Sequence, residues 1–260
     1  MALSKEQLAR YRRNIVIPAI GDKGQEKLLD SKVLIVGTGG LGSSCAYYLA
    51  AAGIGKIGLV DFDLVELDNL QRQILHATGD IGKSKVTSAK DKLSNLNPEI
   101  EIIPHKVKLS SENILDIVKD YNLLVECSDN SLTKYLLNDT SIFTKKPLFY
   151  AAALRFEGQA MTILPGKTAC YRCLFPKLPS ENEFISPKDA GILGVVAGII
   201  GLIQANEVLK YILNIGELLT DKLLIFDSLT TTFRKIKVQL NPKCPVCGRN
   251  PTIRGITGNE

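Results

Sequence analysis

Few features in this chain settle a function on sight, and several common ones are missing. It holds two histidines, His76 and His105, in unrelated places and without a carboxylate partner at a telling spacing. Both are expected as surface or satisfied core positions. There is no GxSxG elbow and no HExxH helix, which removes the usual serine-hydrolase nucleophile and the zinc-protease arrangement. No lysine or arginine block occurs, and a formal charge of +5 over 260 residues is mild. Such a charge allows an acidic partner or nucleotide phosphates but does not argue for nucleic acid. The longest apolar run, Gly191 to Ile203, is closed by Gln204, Asn206 and Glu207. It falls short of the roughly 20 residues that span a bilayer, so a buried helix and no membrane partner are expected. The opening MALSKEQLARYRRN lacks the apolar core of a signal peptide, which makes a cytoplasmic location the expectation. Neither an internal repeat nor a low-complexity segment is present.

What is present begins with ordinary enzyme-like proportions, 45% hydrophobic and 23% charged residues. The chain is organised around Lys32 to Asp63. Val33-Leu34-Ile35-Val36 is a short apolar run suited to a strand buried on both faces. Gly37-Thr38-Gly39-Gly40-Leu41-Gly42 follows, then a helical stretch from Ser43 to Ala52, then a second apolar run, Ile57 to Val60, ending on Asp61. Strand, glycine turn, helix, strand, acid is a βαβ nucleotide-binding unit. Gly37 allows the tight turn, Gly39 lets backbone approach phosphate, and Gly42 lets helix and strand pack closely. The helix start offers free N–H groups to an anion, and Asp61 is placed to accept from ribose hydroxyls.

Further loops after parallel strands should gather at the same sheet edge. One is Asp63 to Gln73, carrying Asn69 and Arg72; another is Leu123 to Asn130, ending on Ser128-Asp129-Asn130. Lys85, in Gly82-Lys-Ser-Lys85, opens a helix against the dipole preference, and such a cation often has an anion to meet. Asp129 reads either as an N-cap for a helix over Ser131–Phe143 or as a ligand for Mg²⁺, which needs only one or two protein oxygens. Helices are also expected at 4–13, 21–30, 111–119 and 191–213, strands at 99–104, 148–152 and 157–164, and a closing hairpin at 223–227 and 233–239.

Of six cysteines, Cys170-x-x-Cys173 and Cys244-x-x-Cys247 form pairs, while Cys45 and Cys127 stand alone. Two independent redox dithiols would share that pattern. One tetrahedral zinc site with a structural role is the reading preferred here, because four thiolates leave no open position.

Taken in order, Arg10-Tyr-x-Arg13, GTGGLG, Asp61-Phe-Asp63, Asn69-Leu-Gln-Arg-Gln73, Gly82-x-x-Lys85, Ser128-Asp-Asn130, Arg155-Phe-Glu-Gly158 and both CxxC pairs resemble the MoeB/ThiF/HesA family. These are prokaryotic relatives of ubiquitin-activating enzymes, and the resemblance runs from about Leu8 to Gly248. It implies an ATP-dependent adenylyltransferase that activates the C-terminal glycine of a ubiquitin-like sulfur carrier ending in Gly-Gly and releases pyrophosphate. Carried over, Gly37, Gly39, Gly40 and Gly42 line the ATP site and Asp61 holds the ribose, with Asp63 and Asn130 beside them. Asn69, Arg72 and Lys85 meet the phosphates, and Asp129 serves Mg²⁺. Arg13 would reach the neighbouring subunit's phosphates, which implies a homodimer.

The expected fold is α/β, a Rossmann-like and largely parallel sheet flanked by helices, with antiparallel strands in the C-terminal part and a four-cysteine zinc site. One adenylation domain is expected over 1–260. It comprises an N-terminal helical segment to about 30, a nucleotide-binding core over 31–150, a zinc-stapled part over 151–248 with a crossover loop at about 174–190, and a tail. One departure from the family pattern stands out. Many relatives carry a cysteine four residues before the segment matching Gly191-Ile-Leu-Gly194, where this chain has Pro187, and no cysteine lies between Cys173 and Cys244. Adenylation without a thioester on the enzyme is therefore expected, with sulfur supplied by a separate protein or sulfide. Cys127 is expected as a small buried thiol. The alternatives are activation of a peptide or tRNA-linked carboxylate, an NAD-dependent oxidoreductase, for which no hydride-accepting acid/base site is visible, and a silent scaffold.

Overall fold

The structure is a computed structural model and describes residues 3–178 and 190–256. Short helices α1 (Lys5–Arg10), α2 (Arg12–Ile15) and α3 (Gly21–Leu29) lead into the sheet. Ser4 caps α1 in a reciprocal box, its hydroxyl taking Gln7 N–H at 3.1 Å while Gln7 Oε1 takes Ser4 N–H at 3.0 Å. Then follow β1 (Lys32–Val36), α4 (Gly40–Ala52), β2 (Lys56–Val60), α5 (Lys85–Leu96), β3 (Glu101–His105), α6 (Ile114–Val118), β4 (Leu123–Glu126), α7 (Ser131–Thr144) and β5 (Leu148–Leu154). The chain continues with β6 (Glu157–Ile163), α8 (Tyr171–Leu174), α9 (Gly194–Leu213), β7 (Lys222–Asp227) and β8 (Thr232–Lys237).

All eight strands form one sheet in the order β3-β2-β1-β4-β5-β6-β7-β8. The pairings from β3 through β5 are parallel, and those from β5 to β8 are antiparallel. The parallel core follows from β-branched runs such as Val33–Val36, which are buried on both faces. Arg155, at φ 52°, turns the chain between β5 and β6, so the strands reverse within Arg155-Phe-Glu-Gly158. One apolar core lies against α4, α5 and α9, and a second lies on the other side with α6, α7 and the cysteine pairs.

Some boundaries differ from the sequence-based expectation. Helix α4 starts at Gly40 because the glycine turn itself enters the helix, and α6 is confined to Ile114–Val118. Helix α9 reaches 20 residues, long and apolar enough by length and composition to cross a membrane. It lies within the expected 191–213, and the polar residues Gln204 and Glu207 that close the apolar run lie within the helix and are buried. The helix packs on α4, β5 and β6, and Glu207 accepts from Thr162 Oγ1 and Leu219 N, each at 2.7 Å.

Candidate functional site: a nucleotide crevice and a four-sulfur cluster

The strand order reverses at β1, whose two neighbours are β2 and β4. In an open α/β sheet the crevice outside the carboxyl ends at such a switch point is where ligands bind. Two loops border it here, the glycine turn after β1 and the segment Cys127–Asn130 after β4. They are pressed together, since a Cβ on Gly37 (φ +94°) would lie 2.6 Å from Cys127 O. Gly42 is equally constrained, as its Cβ would sit 2.0 Å from Gly37 O.

Gly39 differs. A Cβ there meets nothing closer than Gln73 Nε2 at 3.6 Å, so packing within the chain does not demand glycine. The space it leaves faces the start of α4, where Gly39 is the N-cap and no side chain caps the first-turn amides. Ser43 Oγ, in that first turn, and Gln73 Oε1 are both buried without a hydrogen-bond partner among the described residues. Bare helix amides, an open glycine position and orphaned buried polar atoms together fit an anionic ligand.

Asp61 is oriented by the turn beside it. Its Oδ2 accepts from Thr38 N at 2.9 Å and Thr38 Oγ1 at 3.0 Å, and its Oδ1 accepts from Asp63 N at 3.0 Å. The same turn rests on His76, a residue with no telling partner in the sequence. His76 Nε2 lies 3.2 Å from Thr38 O and Nδ1 lies 3.0 Å from Ser88 Oγ. A carbonyl only accepts, so Nε2 carries the proton and Nδ1 takes the Ser88 hydroxyl. Burial and the nearby Lys85 charge hold the imidazole below its ordinary pKa, against the pull of its bond to Thr38.

Lys85 has an anion inside the chain. Its buried Nζ lies 2.8 Å from Oδ2 of exposed Asp63, so the cation at the start of α5 and the acid of Asp61-Phe-Asp63 form a pair. That leaves the ammonium two hydrogens without an acceptor among the described residues. Asn69 is buried in the turn before Arg72, where its Oδ1 accepts from Glu66 N at 3.2 Å and its Nδ2 donates to Asp68 Oδ1 at 2.8 Å. Arg72 is half-buried, donates to Asp68 O at 2.9 Å, and brings its Cγ to 3.6 Å from the Cβ position of Gly40.

Asp129 is exposed and makes no hydrogen bond or ion pair among the described residues. It does not cap α7. The cap is its neighbour Asn130, whose Oδ1 accepts Thr133 N–H at 2.8 Å. This removes the capping role from Asp129 and gives one to Asn130. Arg13 lies exposed on α2, which packs on α1 and α3, and has no ion-pair partner among the described residues. Pro187 and most of the crossover segment lie outside the described residues. Cys127, as expected, is buried; burial raises its thiol well above the ordinary value, and Sγ donates to Gln204 Oε1 at 3.2 Å.

The cysteine pairs meet, Cys170 and Cys173 at α8 and Cys244 and Cys247 beyond β8. Their four sulfurs lie within 4.8 Å of one another, with separations of 3.3 Å (Cys170–Cys247), 3.4 Å (Cys173–Cys247), 3.6 Å (Cys170–Cys244) and 3.9 Å (Cys170–Cys173). Four thiolates about 2.3 Å from a tetrahedral zinc ion stand roughly 3.8 Å apart, so donor set and spacing fit zinc. Asn241 N–H also points at Cys173 Sγ, 3.4 Å away, as a thiolate-stabilising donor. The geometry sets aside two independent dithiols, because each pair contacts the other.

A doubly wound α/β sheet with a four-cysteine cluster beside it is the class that fold and site define. Residues 11–246 match the ThiF family, and the chain belongs to it. It is 43% identical over 265 residues to the sulfur carrier protein adenylyltransferase of Thermus thermophilus, covering 100% of this chain and 98% of that protein. It is 45% identical over 260 residues to the adenylyltransferase and sulfurtransferase MOCS3 of Sus scrofa, but spans only 57% of that relative's length. Among solved structures, E. coli MccB with ATP superposes with a TM-score of 0.79 at 27% identity, over 92% of this chain and 74% of that one. The enzyme class is adenylyltransferase.

Proposed function

We propose that the chain activates the C-terminal glycine carboxylate of a ubiquitin-like sulfur carrier as an acyl-adenylate, using ATP and Mg²⁺, without a thioester on the enzyme. The observation that carries this is the glycine turn at the head of α4, where Gly39 leaves open space, Asp61 is bonded to Thr38 and Arg72 Cγ lies 3.6 Å from the Gly40 Cβ position. The full-length similarity to a sulfur carrier protein adenylyltransferase supports the choice of acceptor.

A carboxylate oxygen attacks the α-phosphorus, the bond to the bridging oxygen of the β-phosphate breaks, and pyrophosphate leaves. The attacking carboxylate is already ionised at neutral pH, so no general base is required. Catalysis is then positioning and charge stabilisation. The α4 amides hold phosphate, Asp61 takes ribose hydroxyls, and Asn69, Arg72 and the two spare hydrogens of Lys85 line the phosphate chain. Asp129, exposed and unpaired among the described residues, is assigned to Mg²⁺, which would neutralise phosphate charge. The four-cysteine cluster would hold zinc in a structural role.

Arg13 has no ion-pair partner among the described residues, and we assign it to the phosphates of a second copy in a homodimer. An apolar groove of about 500 Å³ supports such an interface; Tyr48, Ile74, Leu96, Val195 and Leu202 line it, all exposed. The likeness to MccB, a microcin C7 biosynthetic enzyme also solved in complex with N-formylated MccA, prompts a second reading in which the acceptor is a peptide carboxylate. Pyrophosphate release from ATP, measured with carriers ending in Gly-Gly and with free peptides, decides between them. Non-reducing gels of the same mixtures should show no enzyme–carrier adduct; a cysteine-linked adduct would overturn the direct-adenylate reading.

A further inference from the structure

The Ser128-Asp129-Asn130 turn at the crevice rests on a buried ion pair that the phosphate chemistry does not itself use. Glu126 ends β4 and is wholly buried, while Lys134, in the first turns of α7, is 7% exposed. Lys134 Nζ donates to Glu126 Oε2 at 2.5 Å, to Ser128 O at 2.8 Å and to Ala151 O at 3.0 Å. Three hydrogens meet three acceptors, so the ammonium is spent inside the fold. Lys85 differs in this respect, since it keeps donors free. The other Glu126 oxygen accepts from Ser128 N at 2.8 Å and from the Ser128 hydroxyl. Beneath the pair, the Tyr150 ring centroid lies 5.4 Å from Nζ, and Gln204 Nε2 bridges Glu126 O and Phe149 O at 2.7 and 3.0 Å.

Ser128 is therefore gripped at its N–H, its hydroxyl and its carbonyl, by the two members of one pair. Beyond it, Asn130 is held as the cap of α7. Asp129 sits between two fixed residues and itself makes no hydrogen bond or ion pair among the described residues. Burying an ion pair is costly, and apolar side chains of similar volume would often support a fold equally well. A pair in which both members hold the same crevice turn has a more specific use.

We propose that Lys134 and Glu126 are positioning residues, which fix the Ser128-Asp129-Asn130 turn and thereby set the affinity for metal-bound nucleotide. The metal half of this rests on the reading of Asp129 as the Mg²⁺ carboxylate; the turn-holding half does not.

The test uses the full chain with Lys134→Met, and with Lys134→Met combined with Glu126→Gln in case the single change strands a buried carboxylate and prevents folding. Amide exchange by NMR on ligand-free protein should show Ser128 and Thr133 exchanging at least about tenfold faster, with Ile35 and Leu59 in the neighbouring strands unchanged. ATP binding titrated with Mg²⁺ should shift to about tenfold higher half-saturating metal, while metal-free ATP affinity changes less than about twofold. Unchanged exchange at Ser128 and Thr133 in a folded variant overturns the proposal. So does an equal loss of ATP affinity with and without metal. Asp129→Asn in parallel separates the two readings. If it leaves the Mg²⁺ midpoint where it was, the metal assignment falls, and the exchange rates alone decide the role of Lys134.

Discussion

Arg172, inside the first CxxC, closes a two-bond ion pair on Asp139 of α7, with Nε to Oδ1 and Nη2 to Oδ2 both at 2.7 Å. Both residues are buried, and the guanidinium carbon lies 4.6 Å from the Tyr135 ring centroid. One residue away, Asn138 Oδ1 accepts Tyr171 N–H at 2.9 Å. The cysteine knuckle is thus fastened to the helix whose N-cap is Asn130, and one helix connects the four-sulfur cluster to the crevice.

Removing one partner of that pair strands a buried charge, which typically costs about 3–5 kcal/mol. Arg172→Met should lower the unfolding free energy in urea by about that amount, and Arg172→Met with Asp139→Asn should recover part of it. A single-variant loss below about 1 kcal/mol would place the pair among weak surface-like bridges.

Zinc should be released at about one ion per chain when the thiols are titrated with a mercurial in the presence of a colorimetric zinc indicator. Cys170 and Cys244 are 74 positions apart, so the ion would fasten α8 to the end of the sheet. Cys244→Ser is expected to lose the metal and several kcal/mol of stability. Full stability without bound metal would remove the structural role.

The fold was legible where local pattern and tertiary environment agree. Val33–Val36, Ile57–Val60 and Leu123–Val125 are buried strands of a parallel sheet, and their apolar runs look it. The site was legible only as a set of loops at one edge. Lys85 reads as a cation awaiting phosphate because Asp63, its partner, is 22 positions away. His76 reads as unattached because Thr38 and Ser88 are 38 and 12 positions distant. Asp129 and Asn130 are both good caps, and a one-residue difference in where α7 begins decides between them. Glu126 and Lys134 give no signal at all, since charged residues are usually solvated and only the folded chain shows this pair buried.

The glycines separate packing from ligand binding. Gly42→Ala would drive a Cβ to 2.0 Å from Gly37 O, backbone against side chain, and should cost several kcal/mol or prevent folding. Gly39→Ala meets only Gln73 Nε2, at 3.6 Å, and has φ −77°. Its melting temperature should stay within about 3 °C of the parent, while ATP affinity by calorimetry falls at least about tenfold. Unchanged affinity in Gly39→Ala would move the phosphates away from this turn.

The lowered pKa of His76 gives stability a pH slope of known sign. Below its ordinary value of 6.5 the unfolded chain takes up a proton that the buried imidazole resists. Stability is therefore complete above that value and declines as pH falls beneath it, by at most about 1.4 kcal/mol per pH unit for one group. His105 is lowered by burial too and adds its own slope, so the comparison is with His76→Gln, which keeps a donor for Thr38 O. Urea unfolding at pH 7.5, 6.5 and 5.5 should give a shallower slope for the variant; parallel slopes would show that His76 titrates freely.

Arg13 is tested by mixing two defective enzymes. If it acts across a subunit interface, Arg13→Ala and Arg72→Ala each disable both sites of their own homodimer, but a mixed dimer has one site carrying both changes and one carrying neither. Random re-pairing makes about half the dimers mixed, so about a quarter of parental pyrophosphate release should return when the two inactive proteins are exchanged together. Were Arg13 to serve its own chain, every site in the mixture would keep one defect, and no activity would return. The groove offers an internal control. Val195→Asp puts a charge where Tyr48, Ile74 and Leu202 are exposed, and should yield monomers by light scattering that neither complement nor turn over.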